Sequence, residues 1–170
     1  LQTLNPFAQQ EAETINQCLG VKCMGDHNGC YVTNISNSDY IKVRNVDFGS
    51  DGANYFTARV RVEKKCTLMV RTGSRSGTVV GRIPMEPTNG EWTDVSAELT
   101  TVITGVKDLF FTFVGSGTSL FDFDSWQFGD KSTGIDGAVH LKNKEEIKED
   151  NVYDLGGRRV ARPGKGIYIE

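Results

Sequence analysis

Two histidines, His27 and His140, stand far apart in a chain of 170 residues, and neither has companions that would make it a general base. No Ser/His/Asp or Cys/His constellation can be assembled around them, so catalysis by an activated nucleophile has no visible machinery. No apolar run approaches the ~18 residues that a membrane-spanning helix needs. Basic residues are not in excess: 19 Lys and Arg stand against 22 Asp and Glu, a net charge of −3. Nucleic-acid binding draws on a basic surface, so this balance argues against it. Cysteine is sparse, and Cys18, Cys23, Cys30 and Cys66 do not form the paired C-x-x-C knuckles of a zinc site. Their number suits disulfides in an oxidising compartment, with three connectivities open; buried free thiols are the alternative. The chain begins at Leu1 with no signal-peptide pattern, as a processed product or an excised piece of a longer protein would.

What the sequence does contain is strand after strand. With 38% apolar residues it can build one core. In Phe56-Thr57-Ala58-Arg59-Val60-Arg61-Val62 apolar and polar residues alternate, as one buried and one wet face require. Tyr40–Val46, Thr67–Arg71, Val79–Met85, Trp92–Leu99, Leu109–Val114 and Leu120–Phe128 read as further strands separated by turn residues. Gln9–Ile15 reads as a first strand or a short helix. No long helical period precedes residue 140. The pattern predicts an all-β fold, a β-sandwich over residues 9–129, with residues 1–8 as a linker from a preceding domain. Residues 130–150 read as a charged linker. Residues 151–170 hold two short β segments around turn residues, a hairpin-like C-terminal appendage too small to fold alone.

If every strand crosses the sandwich from end to end, the loops alternate between its two ends. Counting from the Cys18–Ser38 loop places the turns at 63–66, 86–91 and 115–119 at one end, the top. Tyr31, Asn34, Trp92, Asp122 and all four cysteines should therefore gather there, with at least one bridge between cysteines. Flat aromatic faces suit the C–H faces of a pyranose ring, and amides and carboxylates suit its hydroxyl rim. The alternative for Trp92 is a packing role at the start of a strand.

At these residues the sequence resembles the family 6 carbohydrate-binding modules, over about Asn5 to Phe128. Gln10-Glu11-Ala12-Glu13-Thr14-Ile15 is similar to the family's opening "EAE" strand. Val32-Thr33-Asn34-Ile35-Ser36-Asn37-Ser38-Asp39-Tyr40-Ile41 is similar to its "x-I-x-N-G-D-[YW]-I" segment. Gly90-Glu91-Trp92 and Leu120-Phe121-Asp122-Phe123-Asp124-Ser125-Trp126-Gln127-Phe128 complete the set. Asn5-Pro6-Phe7 and Val46-Asp47-Phe48-Gly49 resemble the subset attached to family 43 glycoside hydrolases, the arabinofuranosidases and xylosidases.

The resemblance implies a non-catalytic jelly roll with a structural calcium ion. Glu11, Glu13 and Asp124 match the ligand carboxylates, and backbone carbonyls would complete the shell. It also implies a sugar site on top-end loops, where two aromatics sandwich a ring and an asparagine binds it. Trp92 matches the second aromatic, and Asp122 stands in the asparagine's place. Asn34 aligns where many members have Tyr, and Tyr31 is the nearest aromatic. Alternation turns Asp122 and Asp124 to one face, so separate roles require a bulge or bend near Phe123, or else one of the two assignments is wrong.

The last twenty residues, with Val152-Tyr153-Asp154-Leu155-Gly156-Gly157-Arg158-Arg159-Val160 and Lys165-Gly166-Ile167-Tyr168-Ile169, resemble the sorting tails of the type IX secretion system. The expected protein is thus a secreted or cell-surface monomeric module that binds polysaccharide, xylan or arabinoxylan first, beside an N-terminal catalytic domain. The competing readings are a module for another glycan such as a β-glucan, and a spacer without a ligand.

Overall fold

A computed structural model describes residues 2–27 and 29–131; the expected linker after 131 and the sorting-tail segment lie outside them. Eleven strands form in these residues and no helix. They are β1 (Gln10–Glu11), β2 (Gln17–Leu19), β3 (Lys22–Asp26), β4 (Gly29–Thr33), β5 (Tyr40–Asp47) and β6 (Ala53–Val62). The rest are β7 (Cys66–Thr72), β8 (Thr78–Met85), β9 (Thr93–Ile103), β10 (Val106–Gly115) and β11 (Phe121–Gly129). One sheet runs β3-β4-β11-β6-β9, with β1 added to β11; the other runs β2-β5-β10-β7-β8. All named pairings are antiparallel. This is the expected β-sandwich, a jelly roll.

Alternation decides which side chains meet between the sheets. In β6, Phe56, Ala58, Val60 and Val62 are buried, while Arg59 is exposed and Arg61 half-buried. Phe111 of β10 crosses from the second sheet to pack on Phe56 (5.8 Å between centroids), Phe123 (5.7 Å) and Trp126 (5.3 Å) of the first. Aromatic contacts of this kind, edge-on or tilted, fill a sandwich core at native density.

Three strands, β2, β3 and β4, occupy what the sequence pattern presents as one loop. Their directions preserve the parity argument, because β3 and β4 add one further down-and-up pair. Hydrogen bonds confirm the shared end. Asn37 N–H donates to Gly117 O (3.1 Å), Leu120 N–H to Ile35 O (2.8 Å), Glu63 N–H to Leu120 O (2.9 Å) and Thr88 N–H to Val62 O (2.9 Å).

Two expectations need correction. The first segment is neither a full strand nor a helix: only Gln10–Glu11 pairs, with β11. The expected disulfide is absent, since all four cysteines are free. The β3–β4 register sets Cys23 opposite Val32 and Cys30 opposite Gly25, so no cysteine faces another across the ladder. Cys66 is buried, and burial, with Glu86 nearby, pushes its thiol up to about 11. Ahead of β1 the chain packs on the sandwich: Leu4 N–H donates to Asn45 O and Asp47 N–H to Leu4 O, both at 2.9 Å. Phe128 N–H reaches Pro6 O at 2.9 Å and Phe7 stacks edge-on against Phe48.

Candidate functional site

Tyr31 and Thr33 project from β4, Arg59 and Arg61 from β6, and Asp122 from β11, all on the outer face of the first sheet. Register makes them neighbours: Asp122 lies opposite Arg61, and Arg59 lies between Ser125 and Asp94. Trp92 enters from the loop just before β9. Arg61 donates from Nε (3.0 Å) and Nη2 (2.7 Å) to Oδ2 of Asp122, and Thr33 Oγ1 donates to its Oδ1 (2.6 Å). This charge-assisted bond to Asp122 raises the Arg61 pKa above its usual value against some cost of burial. The guanidinium carbon then lies 4.7 Å from the Trp92 ring centroid and 5.2 Å from that of Tyr31. The two rings are 5.5 Å apart at 71°.

An open cleft of about 330 Å³ adjoins this group, lined by Asp26, Gly29, Tyr31, Arg59, Trp92 and Asp124. A hollow of about 370 Å³ near Leu4, Thr14 and Arg44 is larger but has no aromatic wall, so it offers nothing for a sugar face to stack on.

The structure thus brings together Trp92, Tyr31 and Asp122, as expected, but changes their geometry. The rings stand edge to face, so they cannot clasp one sugar between parallel planes. Tyr31 is only 8% exposed and its hydroxyl donates to Met24 Sδ (3.3 Å), so Trp92 is the available platform. Asn34 is not in the group; its amide donates to Gly20 O (3.0 Å), and its backbone has a φ of 60°.

The ladder register shifts between Phe123 and Ser125, which makes Asp124 the extra residue of a bulge. Its carboxylate nevertheless lines the cleft, 3.8 Å from Arg59 Nε, while its carbonyl accepts from Ala12 N–H (2.8 Å). Arg59 and Arg61 were missed as site residues, although the alternation of β6 had already put both on the wet face.

Asp124 also reaches toward the first segment. Burial pushes the Glu13 carboxyl above its ordinary value, and the charges of Glu11 and Asp124 push it further. Oε2 of Glu13 is buried without a hydrogen-bond partner. Among the described residues no three or more His, Cys, Asp or Glu side chains gather closely enough to hold an ion unaided. A hard cation satisfied partly by backbone carbonyls fits this donor set, because it would partner the orphaned oxygen and offset the repulsion.

The family described as "Carbohydrate binding module (family 6)" matches residues 11–130. The chain belongs to this family. The module is non-catalytic. An arabinoxylan arabinofuranohydrolase of Paenibacillus polymyxa is 36% identical over 99% of this chain, which spans 27% of that enzyme. The structure of a glycoside hydrolase family 43 arabinoxylan arabinofuranohydrolase from Bacillus subtilis, in complex with cellotetraose, superposes with a TM-score of 0.70. It is 36% identical and covers 75% of this chain and 28% of that one. CsCBM6-3 from Clostridium stercorarium, in complex with cellobiose, has a TM-score of 0.70 and 30% identity over 76% of this module and 98% of its own chain.

Proposed function

We propose that this module holds a β-linked plant cell-wall polysaccharide, xylan or arabinoxylan, for a family 43 arabinofuranohydrolase-type enzyme outside the cell. One observation carries the reading: a tryptophan fixed at the rim of an open cleft whose other walls include Tyr31, Asp26 and Arg59. Trp92 supplies an apolar platform for one pyranose face, and the charged groups supply acceptors and donors for hydroxyls. The relationship to arabinoxylan-acting enzymes points to the xylan backbone.

A second reading, a β-glucan ligand, is favoured by the cellobiose and cellotetraose complexes of relatives. Affinity electrophoresis against arabinoxylan, xylan, cellulose derivatives and mixed-linkage glucan separates the two. Retardation by arabinoxylan above all others is expected; retardation by none would leave a spacer role.

Glu11, Glu13 and Asp124, with backbone carbonyls, would hold a calcium ion. The ion would supply positive charge that pins the first segment to the bulge of β11. It has no part in contacting the sugar.

A further inference from the structure

Asp122 occupies the place where the family resemblance predicts a sugar-binding amide, yet its bonds point elsewhere. Oδ2 takes two N–H groups from one guanidinium, and Oδ1 takes the Thr33 hydroxyl. The residues lining the cleft include Asp124 and not Asp122. Arg61 in turn is pressed against both rings, at 4.7 and 5.2 Å. A guanidinium on one face of an indole leaves the opposite face as the stacking surface and fixes its tilt.

We infer that Asp122 is a positioning residue, which locks Arg61 against Trp92 and Tyr31 and so sets the sugar platform without touching the sugar. Asp124, two residues along and displaced by the bulge, is kept for the cation beside Glu13. An asparagine at 122 would keep the shape but could not neutralise the guanidinium. Arg61 would then lose its charged anchor and the rings their fixed support. This explains in physical terms why an aspartate stands here: it is matched to Arg61, not to a hydroxyl. The inference rests on the carbohydrate-binding reading only for its consequence on affinity, because the placement of Trp92 can be read without a ligand.

The test compares Asp122→Asn, Arg61→Lys, the double variant and Asp26→Asn with the unmutated module. Two readouts are used: the Trp92 indole N–H resonance in the ligand-free protein, identified by Trp92→Phe, and calorimetric titration with xylohexaose and cellohexaose. Asp122→Asn and Arg61→Lys should each shift and broaden the Trp92 resonance and weaken binding at least tenfold. The double variant should bind no worse than the poorer single, because both act through one link. Asp26→Asn, at the wall of the cleft, should weaken binding while leaving the Trp92 resonance in place. Thr33→Val, which removes one bond to Asp122, should give the same changes in smaller degree, and it serves if a charge variant fails to fold. An unmoved Trp92 resonance in Asp122→Asn overturns the inference. Losses of affinity that multiply in the double variant also overturn it, since Asp122 would then contact the sugar independently. If the unmutated module binds neither oligosaccharide but the resonance responds as described, the carbohydrate reading falls and the positioning link stands.

Discussion

On the outer face of the five-stranded sheet, Arg75 lies 5.2 Å from the ring centroid of Tyr40, and Lys42 lies 5.2 Å from that of Phe110. On the outer face of the other sheet, Arg61 lies 4.7 Å from Trp92. Both faces therefore pair cations with aromatic rings, and a count of residue types would not separate them. Lys42 is held by the Asp108 carboxylate (3.1 Å), so the difference lies between the two arginines, in what holds each. Arg75, on the exposed β7–β8 turn, donates to the carbonyl of Ser38 (3.2 Å), a neutral acceptor. Arg61 is bound twice by a carboxylate that Thr33 also fixes. A ring backed by an anchored cation presents one defined surface; a ring touched by a loosely held cation presents several.

The core common to both faces offers the largest expected effect. Phe111→Ala would remove contacts with Phe56, Phe123 and Trp126 of the facing sheet. It should cost about 3–5 kcal/mol of stability by denaturant melting, and it should disturb both outer faces alike. Next comes the comparison itself. Trp92→Ala should weaken oligosaccharide binding tenfold or more, a loss of at least ~1.4 kcal/mol, whereas Tyr40→Ala should leave it within twofold. Equal losses in calorimetry would mean that both faces bind.

Glu13 gives a smaller effect with a defined sign. Its folded pKa is raised above the ordinary 4.5. Its carboxyl therefore favours folding below 4.5, and that contribution is lost as pH rises through the raised value. In the presence of chelator, Glu13→Gln should raise the melting temperature at neutral pH and change little well below pH 4.5. With calcium added, the same variant should lose the stabilisation that the unmutated module gains. A melting curve indifferent to calcium in both proteins would remove the ion from the account. The smallest effect is expected at Ser38, whose φ of 73° suits glycine. Ser38→Gly should stabilise by about 1 kcal/mol or less, visible as a modest rise in melting temperature. Four of the five non-glycine residues with positive φ among those described, Asn34, Ser38, Asn89 and Ser119, lie in loops of the binding end.

Much of the fold was legible because its signal is local. Period-two alternation marks β6, and similar apolar runs mark β10 and β11. Counting strands was enough to bring Trp92 and Asp122 to one end. β3 escaped because all five of its residues are exposed at a sheet edge, so burial leaves no pattern in its sequence. The bonds of Asp122 were hidden for another reason. They join residues 61 and 89 positions apart, and only the register of β4, β6 and β11 makes them neighbours. The bulge at Asp124 could be required by argument beforehand, but not the cleft wall it supplies.

The N-terminal clasp has a mechanical consequence. Leu4 bridges Val46 in parallel, and Pro6 and Phe7 accept bonds from Phe128 and Gln127. A tug applied ahead of residue 4 is therefore taken up by β5 and β11, one strand in each sheet, before any slack can be drawn out. Those two strands flank the same core, so the load enters the sandwich on both sides at once, and the module follows as a stiff body instead of trailing on a tether.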